Sequence, residues 1–409
     1  MKVNINLIMK ISILLLIIFT LFIVNENYTK IIKLGFVIIY ITFFFMKKNI
    51  YSLYNKDFFI LILLTVLNVL LCIMREQRGI LDTLITYSFL LIACLEFYEN
   101  KNYEKKNDKL LNVFSFTISI LLLYFIVYNL KNGLGTNFNF YLPNGSDKNY
   151  NAVTMFIYFC FCFKRKDWFG TIVAFSCGVL LQSRIYYVAI IMMILLELIL
   201  KNNLKINAIE KLKKCLFNIK EKGIFNVLLI MTIFTILLSY WIVKYVPVSS
   251  IQSYQSSFND GSNAMRVRAN LYAINKISKN PFFIFYGYGG AIKKELGVED
   301  LATSKKYLGF RLVQPHNLVL NLFLRYGILL SLFYLYIIIK LISKYWNKEN
   351  LSICIAYLMM NMFMHSLLSG IYLMFFMLTL SVNTCSKNKK YENEFYDKNC
   401  NNSINKYRN

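Results

Sequence analysis

Apolar residues in this chain gather in blocks of membrane-spanning length, separated by short lysine-rich segments. A helix satisfies its own backbone hydrogen bonds in lipid, so about 20 apolar residues form the template for one span. The pattern predicts spans at 8–24, 31–46, 58–74, 80–97, 110–130, 149–163, 168–183, 185–200, 224–243, 317–339, 351–364 and 367–384. The expected fold is therefore an all-α polytopic integral membrane protein of about 12 transmembrane helices, the shortest needing a thinned bilayer or a broken helix. The pair within 168–200 also reads as re-entrant.

Charge sets the orientation. With the N-terminus inside, segments 1–7, 47–56, 99–109, 164–167, 201–223, 340–350 and 385–409 face the cytoplasm and carry 27 Lys and Arg. The outer loops at 25–30, 75–79 and 131–148 carry five: Lys30, Arg75, Arg78, Lys131 and Lys148. Basic residues collect on the cytoplasmic side, so both termini are expected there. Lys2 and Lys10 border an apolar run that ends near Val24, as a signal peptide would. No small-residue cleavage pattern precedes Asn25, so the run reads as an anchor.

The alternation divides the chain into 1–243 with nine spans, a large outer loop at 244–316, three further spans in 317–384 and a basic cytoplasmic tail at 385–409. The 73-residue loop carries ten basic and four acidic residues. Long loops escape the charge rule and are commonly functional. Helix-like and apolar stretches at 264–279 and 281–286 predict a folded, partly helical extracytoplasmic cap.

Composition narrows the classes. The chain is 57% hydrophobic, against about 45–50% in soluble domains, which excludes a soluble cytoplasmic enzyme. Its formal charge of +25 would suggest nucleic acid on a soluble domain, but here it follows from the basic cytoplasmic loops, and no nucleic-acid partner is expected. None of the nine cysteines lies in the outer loop, and Cys160-Phe161-Cys162 has the wrong spacing for a redox pair. They read as small apolar fillers.

Histidine occurs twice, so a histidine metal cluster is excluded and a catalytic histidine is His316 or His365. His316 follows Pro315, which gives a rigid turn into the next helix. An imidazole at that lip can take a proton from a sugar hydroxyl, or be an ordinary interfacial residue. His365 reads as a substrate contact or a structural residue. Arg184, in Leu181-Gln182-Ser183-Arg184, interrupts an apolar stretch at the outer junction of two helices. It suits a bidentate phosphate clamp or a snorkelling side chain. Arg325 lies eight residues past Asn317, about 12 Å along a helix, and has to face protein or a water-filled cleft. Arg268 and Tyr272 share a helical face, with Arg266 beside them. Tyr286-Gly287-Tyr288-Gly289-Gly290 can bring backbone amides to an anion or simply turn the chain. The loop acids Asp260, Glu295, Glu299 and Asp300 lack the spacing of paired glycosidase carboxylates or a two-metal site. A metal-independent reaction without cofactor fits better, and an arginine-rich outer face suits a departing diphosphate.

These motifs resemble the bacterial O-antigen polymerase and O-antigen ligase superfamily of polytopic membrane glycosyltransferases. The resemblance rests on Gln182-Ser183-Arg184, Arg266 and Arg268 followed by Tyr272 and Asn280-Pro281, then Tyr286-Gly287-Tyr288-Gly289, Pro315-His316-Asn317 and Gly327. It covers about 150–385; residues 1–150 match only as a stack of spans. It implies a GT-C-like enzyme of the inner membrane acting on its outer face, with undecaprenyl-diphosphate-linked oligosaccharide as donor and acceptor. Arg184 and Arg266 or Arg268 would hold the diphosphate and His316 would be the base, with inversion at the anomeric carbon. Asn317, Tyr272, Arg311, Arg325 and His365 are candidate substrate contacts. Membrane lipid, a chain-length regulator and a flippase are the implied partners.

Two positions depart from the family pattern. Members often have Thr-Gly-Ser-Arg where this chain has Leu181-Gln182-Ser183-Arg184. Ligase-like members often carry an acid near Arg325. The leading reading is a polymerase of surface polysaccharide, O-antigen or capsule. The alternatives are an O-antigen ligase or protein O-oligosaccharyltransferase, and a lipid-linked oligosaccharide flippase. A transporter would favour internal repeats, and none is visible here.

Overall fold

The computed structural model describes residues 5–22, 26–46, 56–74, 80–98, 108–133, 140, 142, 148–201, 221–245, 270, 273–274, 277–279, 281–287, 315, 317–364 and 370–382. Among these residues every regular element is a helix. The helices are α1 (Ile5–Phe22), α2 (Glu26–Met46), α3 (Lys56–Met74), α4 (Ile80–Ala93), α5 (Asp108–Gly133), α6 (Lys148–Arg165), α7 (Trp168–Leu180) and α8 (Arg184–Lys201). Then come α9 (Glu221–Tyr245), α10 (Leu318–Tyr326), α11 (Ile328–Lys344), α12 (Leu351–Phe363) and α13 (Gly370–Ser381). A π-turn at Cys94–Tyr98 extends α4, and a 3₁₀ turn at Pro281–Ile284 lies in the stretch between α9 and α10.

Within α5, Lys109–Lys131 is long and apolar enough to cross a membrane, with a mean hydropathy of 2.3. Leu7–Phe22, Leu84–Phe97, Trp168–Leu180, Gly223–Leu237, Leu351–Phe363 and Gly370–Ser381 are shorter apolar helices. The all-helical architecture agrees with the sequence expectation. The expected span at 317–339 differs: it is broken at Gly327 into α10 and α11.

Helices α6 and α13 are buried on nearly every side, from Asn151 to Cys162 and from Ile371 to Ser381. A helix that is apolar all round belongs inside a larger bundle. Helix α6 packs on α7, α8 and α13, while α13 also packs on α4 and α12 on α8. Outer helices show the complement. Val113, Phe116, Tyr124 and Val127 of α5 and Phe59, Leu63, Leu70 and Ile73 of α3 are exposed. Such an apolar face needs a non-aqueous neighbour.

Lys164 fastens one end of this core. It is buried, and its Nζ donates to Asn350 Oδ1 at 2.6 Å, Thr379 O at 2.9 Å and Leu380 O at 3.1 Å. The ammonium thus meets the carbonyls at the C-terminal end of α13, where a cation complements the helix dipole. Asn350 adds an Nδ2 bond to Leu380 O at 3.1 Å. At the same end Lys344 Nζ and Tyr345 OH both donate to Phe97 O in the π-turn, at 2.5 and 2.7 Å. Burial pushes the Tyr345 pKa upward, so its phenol stays a donor. The turn from α6 to α7 passes through Lys166 at φ 60° to Asp167, whose carboxylate caps α7 by accepting from Gly170 N at 3.0 Å and also accepts from Ser115 Oγ.

Candidate functional site

The opposite ends of these helices carry the predicted chemistry. Helix α7 closes at Leu181-Gln182, whose backbone amides reach Cys177 O and Val179 O, each at 3.0 Å. Gln182 adopts φ 50°, which turns the chain sharply and starts α8 at Arg184. The segment is thus a tight helix–helix turn. Ser183 is buried and donates its Oγ hydrogen to Asn149 Oδ1 at 2.9 Å, tying the turn to the start of α6. Arg184, one residue on, is exposed at the N-terminus of α8. A cationic residue at a helix N-terminus adds to the positive end of the helix dipole, an arrangement that suits an anion.

Asn317 caps α10. Its Oδ1 accepts from Val319 N at 3.0 Å and Leu320 N at 3.1 Å, while Nδ2 donates to Met362 O at 3.4 Å. The side chain is fully buried and engaged by protein. These bonds position the start of α10. The bond to Met362 joins the start of α10 to the end of α12. His316 and His365 themselves, with Arg266, Arg268, Tyr272 and Arg311, lie outside the described residues.

Helix α10 stops after nine residues at Gly327, whose φ is +81° and whose amide closes on Phe323 O at 2.9 Å. A β-carbon on Gly327 would sit 2.6 Å from Tyr286 N, and one on Gly287 would sit 2.5 Å from Leu324 O. The Tyr286-Gly287 backbone is therefore seated directly on the break between α10 and α11. Such non-helical backbone is tolerated at membrane depth where protein or a polar cleft surrounds it. Within the glycine run, Gly287 makes a close approach to the helix.

Arg325 is half-buried in the last turn of α10, within electrostatic reach of Tyr334. Its Nε is buried without a hydrogen-bond partner. Asn321, four residues earlier, is fully buried; its Nδ2 donates to Pro315 O at 3.0 Å, but its Oδ1 has no partner. Sequence reasoning passed over Asn321. The signal was present as Asn317, Asn321 and Arg325 at every fourth position of an otherwise apolar helix, a spacing that puts all three on one face. Around the break, Tyr326 stacks on Tyr334 with centroids 6.2 Å apart, and both meet Tyr87 edge-on.

Residues 169–335 match a family model described as O-antigen ligase. The chain carries a domain of the O-antigen polymerase and ligase superfamily. No curated protein and no solved structure matches the chain. The superfamily domain opens at Phe169 in α7 and closes inside α11. It therefore takes in the Ser183 turn, Arg184, residues 244–316, Asn317, Asn321 and Arg325. Asn149 on α6, which accepts from Ser183, and Met362 on α12, which accepts from Asn317, lie beyond it, so the residues that hold the O-antigen superfamily domain in register come partly from outside the match.

Proposed function

We propose that the chain is a multi-pass inner-membrane glycosyltransferase that polymerises undecaprenyl-diphosphate-linked oligosaccharide repeat units on the outer face, with both termini cytoplasmic. The observation that carries this reading is the pair of tethers that bind the superfamily match to the helices around it. Ser183 holds the Arg184 turn to α6, and Asn317, the residue after His316 in sequence, holds the start of α10 to α12. The product is a surface polysaccharide, O-antigen or capsule.

In this mechanism His316 takes the proton of an acceptor sugar hydroxyl as its oxygen attacks the anomeric carbon of the donor. The bond from that carbon to the diphosphate oxygen breaks, and undecaprenyl diphosphate leaves with the electron pair. Configuration inverts, since attack is opposite the leaving group. Arg184, with Arg266 or Arg268, stabilises the charge gathering on the diphosphate; planar guanidinium suits that task better than ammonium. No metal or nucleotide sugar is required. A chain-length regulator and the flippase that delivers repeat units are the expected partners.

A clean deletion complemented with wild type or His316→Ala tests the reading. Gel analysis should show the polymer ladder lost in the deletion and in His316→Ala, with single repeat units on the carrier or transferred singly. The family description favours one second reading, an O-antigen ligase. Full-length polymer stranded on undecaprenyl diphosphate would establish that instead, and a wild-type ladder from His316→Ala would remove the base.

A further inference from the structure

We infer that the Asn321–Arg325 face of α10 is a second anion subsite, holding the phosphate of the acceptor lipid while Arg184 serves the donor. The inference rests on the polymerase reading, because a polymerase accommodates two lipid diphosphates at once and a ligase only one. The two arginines stand on different helices, and α12 packs against both α8 and α10. The helices that carry them therefore share α12 as a neighbour.

The atoms left over on α10 define the ligand. Asn321 Oδ1 is a buried acceptor and Arg325 Nε a buried donor, neither with a hydrogen-bond partner among the described residues. They belong to side chains four residues apart on one face. Native proteins satisfy nearly all such buried groups, so the pair calls for an occupant. No carboxylate pairs with Arg325 among the described residues, and a cation held among Tyr326, Tyr334 and apolar neighbours is costly without an anion. A sugar phosphate answers both atoms: its hydroxyl donates to Asn321 Oδ1, and its phosphate oxygen accepts from Arg325 Nε. About 12 Å of helix separates Asn317 from Arg325, leaving room for sugar rings between the hydroxyl that reacts beside His316 and its own phosphate. The Tyr286-Gly287 backbone closes the break next to this face.

The test uses the full chain in lipid nanodiscs, with single repeat units on undecaprenyl diphosphate as acceptor and short polymer on the same carrier as donor. Each is varied against saturating levels of the other. Arg325→Gln should raise the acceptor KM by about ten-fold or more and move the donor KM by less than about two-fold, with Arg184→Gln showing the reverse. Arg325→Lys should recover part of the loss, a result that a purely structural role would not give. Thermal unfolding is followed for every variant, and Asn321→Ala reports on the same subsite should Arg325→Gln fail to fold. Equal changes in both KM values, or none, overturn the assignment, and the second outcome means that buried water satisfies the two atoms. A wild-type chain that makes no polymer from these lipids overturns the polymerase reading and the acceptor assignment with it.

Discussion

The backbone of Tyr286 lies against Gly327 so closely that a β-carbon on the glycine would be 2.6 Å from the Tyr286 nitrogen and 2.7 Å from its carbonyl carbon. Two stretches 41 residues apart in sequence thereby share one seat, and the loop sequence is registered on the helix break. Gly327→Ala meets two costs at once, the left-handed φ of +81° and the clash with backbone that cannot rotate away. We expect a loss of about 1–3 kcal/mol, read as a lower unfolding temperature of the detergent-solubilised protein, with polymer reduced further than the loss of folded protein explains. Gly287→Ala should act in the same direction.

Asn317 separates capping from tethering. Asn317→Ala removes both and should cost about 1–2 kcal/mol. Asn317→Asp keeps an oxygen for Val319 N and Leu320 N but gives up the Nδ2 bond to Met362 O. The aspartate variant should unfold within a few degrees of wild type yet transfer glycan more slowly. Equal transfer rates for wild type and Asn317→Asp would show that the Met362 tie does not matter to the site.

Ser183→Ala offers a milder perturbation. The lost bond to Asn149 contributes about 1 kcal/mol or less to stability, so folding should hardly change. Transfer should fall several-fold, because Arg184 is the next residue and its turn is released. Arg184→Lys should restore little if the diphosphate is gripped by two parallel hydrogen bonds. Exhaustive chelation should leave wild-type transfer intact, and a requirement for a divalent cation would count against the mechanism.

Much of the helical order was legible in sequence, and its limits have physical causes. The span read at 149–163 is α6 at Lys148–Arg165, and the pair read at 168–183 and 185–200 is α7 and α8. There the apolar runs end abruptly at Lys164-Arg165-Lys166 and at Gln182-Ser183. The break at Gly327 was hidden because hydropathy continues through it, and the glycine takes its positive φ where Tyr286 packs on it. Lys164 was counted as a cytoplasmic loop charge, yet it is buried with three acceptors supplied by residues about 200 positions away. Cys162, read as an apolar filler, is buried but also lies 3.3 Å from Ser115 Oγ. Of the candidate site, Arg184 falls on the helix junction that sequence assigned to it, and Arg325 lies in the last turn of α10. Asn321 escaped notice because one amide among leucines does not alter a hydropathy profile.

Lys164→Met keeps the length of the side chain and removes its donors. Asn350 Oδ1 and the carbonyls of Thr379 and Leu380 then lose that partner inside the protein, at a cost of about 2 kcal/mol or more. The accumulated level of the membrane-inserted protein should drop, whereas Lys340→Met, outside this network, should leave it unchanged. Normal accumulation and unfolding temperature for Lys164→Met would show that water replaces the ammonium.

The same lysine has a mechanical consequence. With α6, α12 and α13 pinned together at its end, any widening between these helices pivots about the lysine and opens at the other end, as in tongs joined at the handle. On the polymerase reading, a product that grows by one repeat at each turnover cannot thread through a bundle closed in this way. It enters and leaves by the open mouth, and its length need not be limited by the interior of the protein.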